Sequence, residues 1–349
     1  MARPFVSYFD SLSHETLIDK CRRQLHGYVC RYRGKPRLIN GVYVLGYHSI
    51  VAGDHRAPWE AAYSRVSTRE EDFYEQIDFM LAQAKPLRIS EVPGILKAGR
   101  PDRPYFAVTF DDGYKNILKV SQKVLAKGIV PSAFINPAFV SQQQVYYRVL
   151  LYELAAAGAL ERYRDMIADF LGVDAAQDPV AGFKNQYRYR ETEAFIEARF
   201  RETFGKLPAD VHLNWDDVRA LQRAGWEIGN HTVSHPTLSR LTYAQQDAEI
   251  MDVVTACERE GVECLPWLNY PNGTLRDMNG DTGHWMEAHP AWHGTVVFPA
   301  VNVMYSQAEI MRIGVSIGGM KEFKRLLHLS HYYTGRLLRF ISKRGECVA

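Results

Sequence analysis

The chain predicts an α/β protein built on a parallel barrel or sheet and interrupted by a helical insertion. Three observations predict it. Short runs of strand character alternate with segments of helical period, with polar residues at the strand-to-helix turns. The run Tyr105-Phe-Ala-Val-Thr-Phe110 leads straight into Asp111, Asp112 and Gly113, and parallel α/β folds do their chemistry at the carboxyl ends of strands. The alternation stops at residues 141–206 and then resumes. A structureless loop of that length is improbable inside a compact domain, so this stretch reads as a helical subdomain.

Residues 1–40 form an N-terminal arm, with a helix near Glu15 that Ser13 would cap and that Gly27 and Gly34-Lys-Pro36 would break. The remainder, 41–349, is the barrel, interrupted by the insert at 141–206. Val42–Tyr47 reads as a buried strand ending at His48, and 69–83 shows helical spacing through Phe73, Ile77 and Met80. After the Asp111 strand come a helix at 116–127 and a strand at Pro131–Asn136. Beyond the insert, Asn214 caps a short helix from Trp215, and Trp226-Glu-Ile-Gly229 is a strand leading to His231. A helix over 243–259, strands at Cys264–Tyr270, Thr295–Phe298 and Arg312–Val315, and a terminal helix from about residue 320 complete the pattern.

Length and composition suit one large core: 349 residues, 46% apolar and 23% charged. The net charge of +2 is too small for a global nucleic-acid footprint, and no nucleic-acid partner is expected. No run of apolar residues is long enough for a transmembrane span. The first twelve residues carry Arg3 and Asp10 and no apolar signal core, so a cytoplasmic location is expected. Five cysteines with no CxxC spacing favour reduced thiols. Basic residues gather near both ends, at Lys20–Arg37 and Arg336–Arg344. They read as solvated helix faces, with peripheral contact to anionic lipid as the alternative.

Asp111 and Asp112 would repel each other, so something must neutralise them. Neighbouring strand residues point to opposite faces, so both reach one site only where the strand ends and Gly113 turns the chain. The alternative is a surface Asp-Asp-Gly turn. His231 and His235 are spaced i, i+4 in Asn230-His-Thr-Val-Ser-His-Pro236. Pro236 disfavours helix at His235, so the pair belongs on a turn, with Asn230 and Thr232 placed to orient the imidazoles. A second i, i+4 pair, His289 and His293, contains Pro290 and follows no acid-tipped strand. It reads as a loop bordering the site. His48 stands at a strand end as Asp111 does.

Thr109-Phe-Asp-Asp-Gly113 followed by His231-Thr-Val-Ser-His-Pro236 resembles the polysaccharide deacetylase family, also called the NodB-homology or carbohydrate esterase family 4 group. Residues 42–50, 105–140 and 215–318 carry the likeness, and the arm and the insert do not. The resemblance implies an irregular (β/α)7 TIM-like barrel. It implies one divalent metal ion, usually zinc with nickel or cobalt as alternatives, held by Asp112, His231 and His235. Asp111 would be the general base. The family's Arg-x-Pro-Tyr motif is replaced by Asn269-Tyr-Pro-Asn272, so the arginine that usually braces the base is missing. A subgroup acting on poly-N-acetylglucosamine has a similar third motif and a Tyr-His pair resembling Tyr47-His48. By that likeness His48 is the general acid, with His328 of Leu326-Leu-His328 as second choice. Tyr270 and Asn272 are expected to bind the oxyanion or substrate. Val301-Asn302 and Arg312-Ile313 resemble late positions that close the barrel, with a structural role.

The function so implied is hydrolysis of an N-acyl group, acetyl first, from an amino-sugar-containing saccharide. The lack of a signal suggests a precursor, and the insert would favour a short or lipid-linked glycan. A same-fold amidohydrolase of non-carbohydrate or cyclic amides is the first rival. A non-catalytic saccharide-binding relative is the second, but it predicts loss of a ligand or base, and all four residues are present.

Overall fold

The computed structural model describes residues 37–53, 66–174, 178–315 and 319–343. The expected arm helix, most of the N-terminal basic cluster, Arg344, and Cys21, Cys30 and Cys347 lie outside the described residues. Cys257 and Cys264 are free thiols. Among the described residues no helix is long and apolar enough to cross a membrane.

The strands are β1 (Gly41–Tyr47), β2 (Ser49–Val51), β3 (Ser67–Arg69), β4 (Lys85–Pro86), β5 (Pro104–Phe110), β6 (Ser132–Ile135), β7 (Glu227–Asn230), β8 (Trp267–Asn269), β9 (His293–Val297) and β10 (Ile310–Gly314). Seven of them close a parallel ring in the order β1-β10-β9-β8-β7-β6-β5, with β5 pairing back to β1. The (β/α)7 TIM-like barrel implied by the family resemblance is therefore the fold. The ring closes along the full length of β1 and β5, from Gly41 opposite Pro104 to Tyr47 opposite Phe110. β4 pairs with the start of β5 and β6 with its end. Strands β2, β3 and β4 have two or three residues each, too few for a hydrophobic period to show in sequence.

Alternation along the strands sorts the core. Val42, Val44, Ala107, Phe134, Trp267 and Ile310 share one cluster, which fills the barrel. Their neighbours Tyr43, Leu45, Phe106, Val108, Ala133 and Ile135 pack outward against the helical layer. That layer includes α1 (Glu70–Leu81), α2 (Leu118–Ala126), α7 (Trp215–Arg223), α8 (Tyr243–Arg259), α9 (Gly280–Ala288) and α10 (Met320–Lys343). Asn214 caps α7 in a capping box with Asp217, as its position before Trp215 predicts. Asn302 knits the seam between β1 and β10, donating to the carbonyls of Val42 and Met311 and accepting from Met311 N–H.

Between β6 and β7 the chain forms α3 (Tyr147–Ala156), α4 (Arg164–Leu171), α5 (Pro179–Asn185) and α6 (Glu191–Phe204). These helices share an apolar cluster of their own, including Leu150, Leu154, Ile167, Ile196 and Phe200. The cluster also takes in Tyr114 from the loop after β5 and Phe139 from the helical turn Pro137–Val140 after β6, so these four helices are seated on the carboxyl end of the barrel.

Candidate metal centre and catalytic site

Strand alternation explains which residues meet at the mouth. Residues 42, 44 and 46 of β1 face the interior, and the next in phase is His48; residues 107 and 109 of β5 lead to Asp111. By the same count β7 delivers His231, β8 ends on Asn269 and β10 presents Arg312. Asp112 is out of phase. It reaches the same space because its own backbone turns first, at φ 63°, ahead of Gly113 at 59°. Thr232, His235 and Asn272 also have positive φ, at 66°, 60° and 59°. Non-glycine residues in this region cost energy and gather where a side chain must be aimed.

His231 Nε2 lies 3.3 Å and His235 Nε2 3.4 Å from Asp112 Oδ1. Potential ligand atoms of the three residues all fall within 4.8 Å of one another, and all three residues are buried. His231 Nδ1 is 2.6 Å from the carbonyl oxygen of Asn269. A carbonyl only accepts, so Nδ1 carries a proton, and in the neutral ring that a metal ligand requires Nε2 turns a lone pair toward Asp112. Asp112 Oδ1 is buried and has no hydrogen-bond partner among the described residues. An acceptor oxygen facing a lone-pair nitrogen lacks a cation between them, and two imidazoles with one carboxylate are a donor set that suits zinc. The residues therefore fit a divalent metal. Burial pushes His235 down to about 3, which keeps its imidazole neutral, as a ligand must be.

Asp111 is held differently. Arg312 Nη2 donates to both its oxygens, at 2.8 and 2.9 Å, and His48 Nε2 is 3.6 Å from Oδ2. Burial alone would raise its carboxyl. The Arg312 guanidinium, helped by His48 and His231, more than offsets this and holds it below the usual carboxylate range. The His48 side chain is 25% exposed, against 5% for Asp111, so the imidazole stands between Asp111 and solvent.

Arg312 is the functional residue that sequence reasoning missed. The sequence predicts a structural role for it and no arginine bracing Asp111; the structure shows that Arg312 does both, closing the barrel and holding Asp111. It reaches across the barrel because Gly46 has no side chain: a Cβ there would lie 2.5 Å from Arg312 Nη2. Two sequence signals pointed to it, an arginine in the otherwise apolar run Ile310-Met-Arg-Ile313 and a glycine inside a strand. Asn269 is a second such residue. Its Oδ1 accepts from Thr295 Oγ1 at 2.8 Å and from Arg312 Nη1, while its carbonyl orients His231.

Other expectations are redistributed. Asn230 and Thr232 do not bond the imidazoles; they hold the turn, with Asn230 Oδ1 accepting from Thr232 N–H and Thr232 Oγ1 from His235 N–H. Tyr270 faces away from the mouth, because it follows the inward Asn269. Its hydroxyl donates to Ala308 O and its side chain belongs to the apolar cluster that also holds Trp285 and Leu337. Asn272 Oδ1 accepts from Arg148 Nη2 at 2.9 Å and its Nδ2 donates to Thr237 Oγ1 at 3.2 Å. His328 lies on α10 beside His331, which contacts Tyr43 on the outer face of β1. His293 opens β9 at the opposite end of the barrel, 3.2 Å from the Tyr305 hydroxyl, and so does not border the site.

The family profile described as polysaccharide deacetylase matches residues 180–290, a span that holds both histidines and the Asn269–Asn272 motif. No curated protein matches the chain. Among solved structures, the chain is similar to the Streptococcus pyogenes deacetylase PplD, with 15% identity and a TM-score of 0.53 over 84% of this chain and 99% of that one. It is similar to IcaB from Ammonifex degensii, with 13% identity and a TM-score of 0.52 over 84% and 98%. A de-N-acetylase from Aggregatibacter actinomycetemcomitans shows 12% identity and a TM-score of 0.51 over 82% and 99%. At these identities the likeness to solved structures speaks for the fold. Together with the profile match, it bears out the resemblance carried by the two motifs.

Proposed function

We propose that this chain, a relative of the polysaccharide deacetylases, is a divalent-metal-dependent hydrolase. It removes an N-acyl group, acetyl by first choice, from an amino-sugar-containing saccharide or glycan precursor. The observation that carries the reading is the division of labour between two adjacent carboxylates. Asp112 turns an unsatisfied oxygen toward two imidazoles, while Asp111 is braced by Arg312 and sits beside His48. The acetate bound to the Streptococcus pyogenes deacetylase named above supports acetyl as the acyl group.

Asp112, His231 and His235 would hold the ion. When bound, it would supply Lewis acidity, polarising the amide carbonyl and making water acidic enough to be deprotonated near neutral pH. Asp111, kept ionised by Arg312, takes the proton from the attacking water. His48, 3.6 Å from Asp111 and partly exposed, would protonate the departing amine from the solvent side. The backbone N–H of Asn272 would donate to the oxyanion of the tetrahedral intermediate.

The test is acetate release by zinc-, nickel- or cobalt-loaded protein from a panel of N-acetylated oligosaccharides, nucleotide sugars, lipid-linked sugars and cyclic amides. Release from at least one saccharide class is expected. Turnover of cyclic amides alone would favour the amidohydrolase rival. No turnover by loaded protein on any member would overturn the reading.

A further inference from the structure

We infer that the helical insert is part of the metal-binding apparatus, and that His212 is the positioning residue through which it acts; this inference rests on the metal reading above. His212 lies on the segment that leads out of the insert, and Tyr146 on the segment that leads in. The outgoing segment runs antiparallel along the loop of the two aspartates, with a bridge between Tyr114 and His212. Leu213 N–H donates to Gly113 O at 2.7 Å, and Lys115 N–H to Val211 O at 3.0 Å. Between them His212 Nδ1 lies 2.9 Å from the carbonyl oxygen of Asp112. That carbonyl belongs to a residue with φ 63°, a conformation that needs outside support in a non-glycine residue.

The donor direction is fixed at both nitrogens of the ring. A carbonyl only accepts, so Nδ1 donates to Asp112, which leaves Nε2 to accept the N–H of Tyr146 at 3.3 Å. The ring is stacked on Phe139 and Tyr114, with centroids at 4.7 and 5.2 Å, and His212 is 2% exposed. It cannot swing away without leaving buried polar groups unpaired. Tyr146 also sets its ring 4.6 Å from that of His235. Both ends of the insert thus converge on one imidazole, and through it and Tyr146 they bear on two of the three metal ligands. Outer partners of this kind hold a ligand's direction and commonly alter metal affinity by about 10–100-fold.

Two variants separate positioning from plain stability. H212F keeps the stacked ring and removes both hydrogen bonds. H212N keeps an N–H near the place of Nδ1. Zinc Kd by chelator competition is the readout, with the rise in Tm on adding zinc as the second. H212F is expected to weaken zinc binding by about 10–100-fold and to shrink the zinc-induced rise, while H212N loses less. Should H212F not fold, H212Q takes its place with the same expectation, since its amide cannot match Nδ1. Wild-type affinity in H212F or H212Q, with Tm lowered equally in the metal-free and loaded states, would overturn the inference alone. A wild-type protein that binds no zinc, nickel or cobalt would overturn the metal reading as well.

Discussion

Two carboxylates are buried at opposite ends of this barrel, Glu227 where β7 begins and Asp112 where β5 has ended, and they are treated in opposite ways. Glu227 accepts from Ile89 N–H at 3.0 Å, from Ser132 Oγ at 3.1 Å and from the Ser90 hydroxyl, pinning the 89–97 segment beneath the barrel. Asp112 Oδ1 has no donor among the described residues and faces two imidazole nitrogens. Glu227 sits within a regular strand, whereas positive φ recurs around Asp112. A buried charge with every acceptor used supports the fold; one left open on a strained turn at the carboxyl end of the strands is prepared for a ligand. The same contrast recurs between the neighbours Asp111 and Asp112, one closed by a guanidinium and one open.

Substitutions should separate these roles. Asp112→Ala is expected to abolish both metal binding and acetate release, the largest effect on activity. Asp111→Asn should keep the metal and lower kcat/KM by about 10²–10⁴-fold. His48→Ala should cost less, about 10²-fold, because water can reach the leaving nitrogen from the side that His48 exposes. Glu227→Gln should leave kcat/KM of the folded protein unchanged and lower unfolding stability by about 1–3 kcal/mol, since an NH2 group then meets donors. Denaturant titration paired with single-concentration kinetics checks that pair. A Glu227 variant that lost activity without losing stability would break the contrast between the two ends.

Arg312→Met sharpens the contrast through pH. The carboxyl of Asp111 is depressed in the folded protein. Its favourable contribution to stability is therefore present above its unfolded pKa of about 3.9 and is lost as pH falls through the lower folded value. Without the guanidinium, burial is opposed only by the histidines and the carboxyl rises. The acid limb of the pH–kcat/KM profile should then move to higher pH, and the stability advantage above pH 4 should shrink. An acid limb that stayed in place would remove Arg312 from the account of the base.

The fold and half of the site were legible because their signals are local. His48 and Asp111 each follow an apolar strand, Asp112 is the next residue after Asp111, and His231 and His235 share one short motif after β7, so the strand ends bring them together. Arg312 was not legible as a partner of Asp111, because 201 residues separate them and only closure of the ring brings them together. His212 stands 100 residues from the carbonyl it supports and carries no period or motif of its own. The placement of Tyr270 was recoverable and was missed. Once Asn269 is taken as inward, alternation sends Tyr270 outward. The strand pair β2 and β3 was hidden for a plainer reason, since three residues cannot display a pattern.

The most direct measurement is the metal content of the purified protein after exposure to zinc, nickel or cobalt and removal of free ion. The account predicts close to one ion per chain, kept in Asp111→Asn and lost in His231→Ala. Wild-type protein that retains no ion, or a His231→Ala variant that retains as much as wild type, would contradict it.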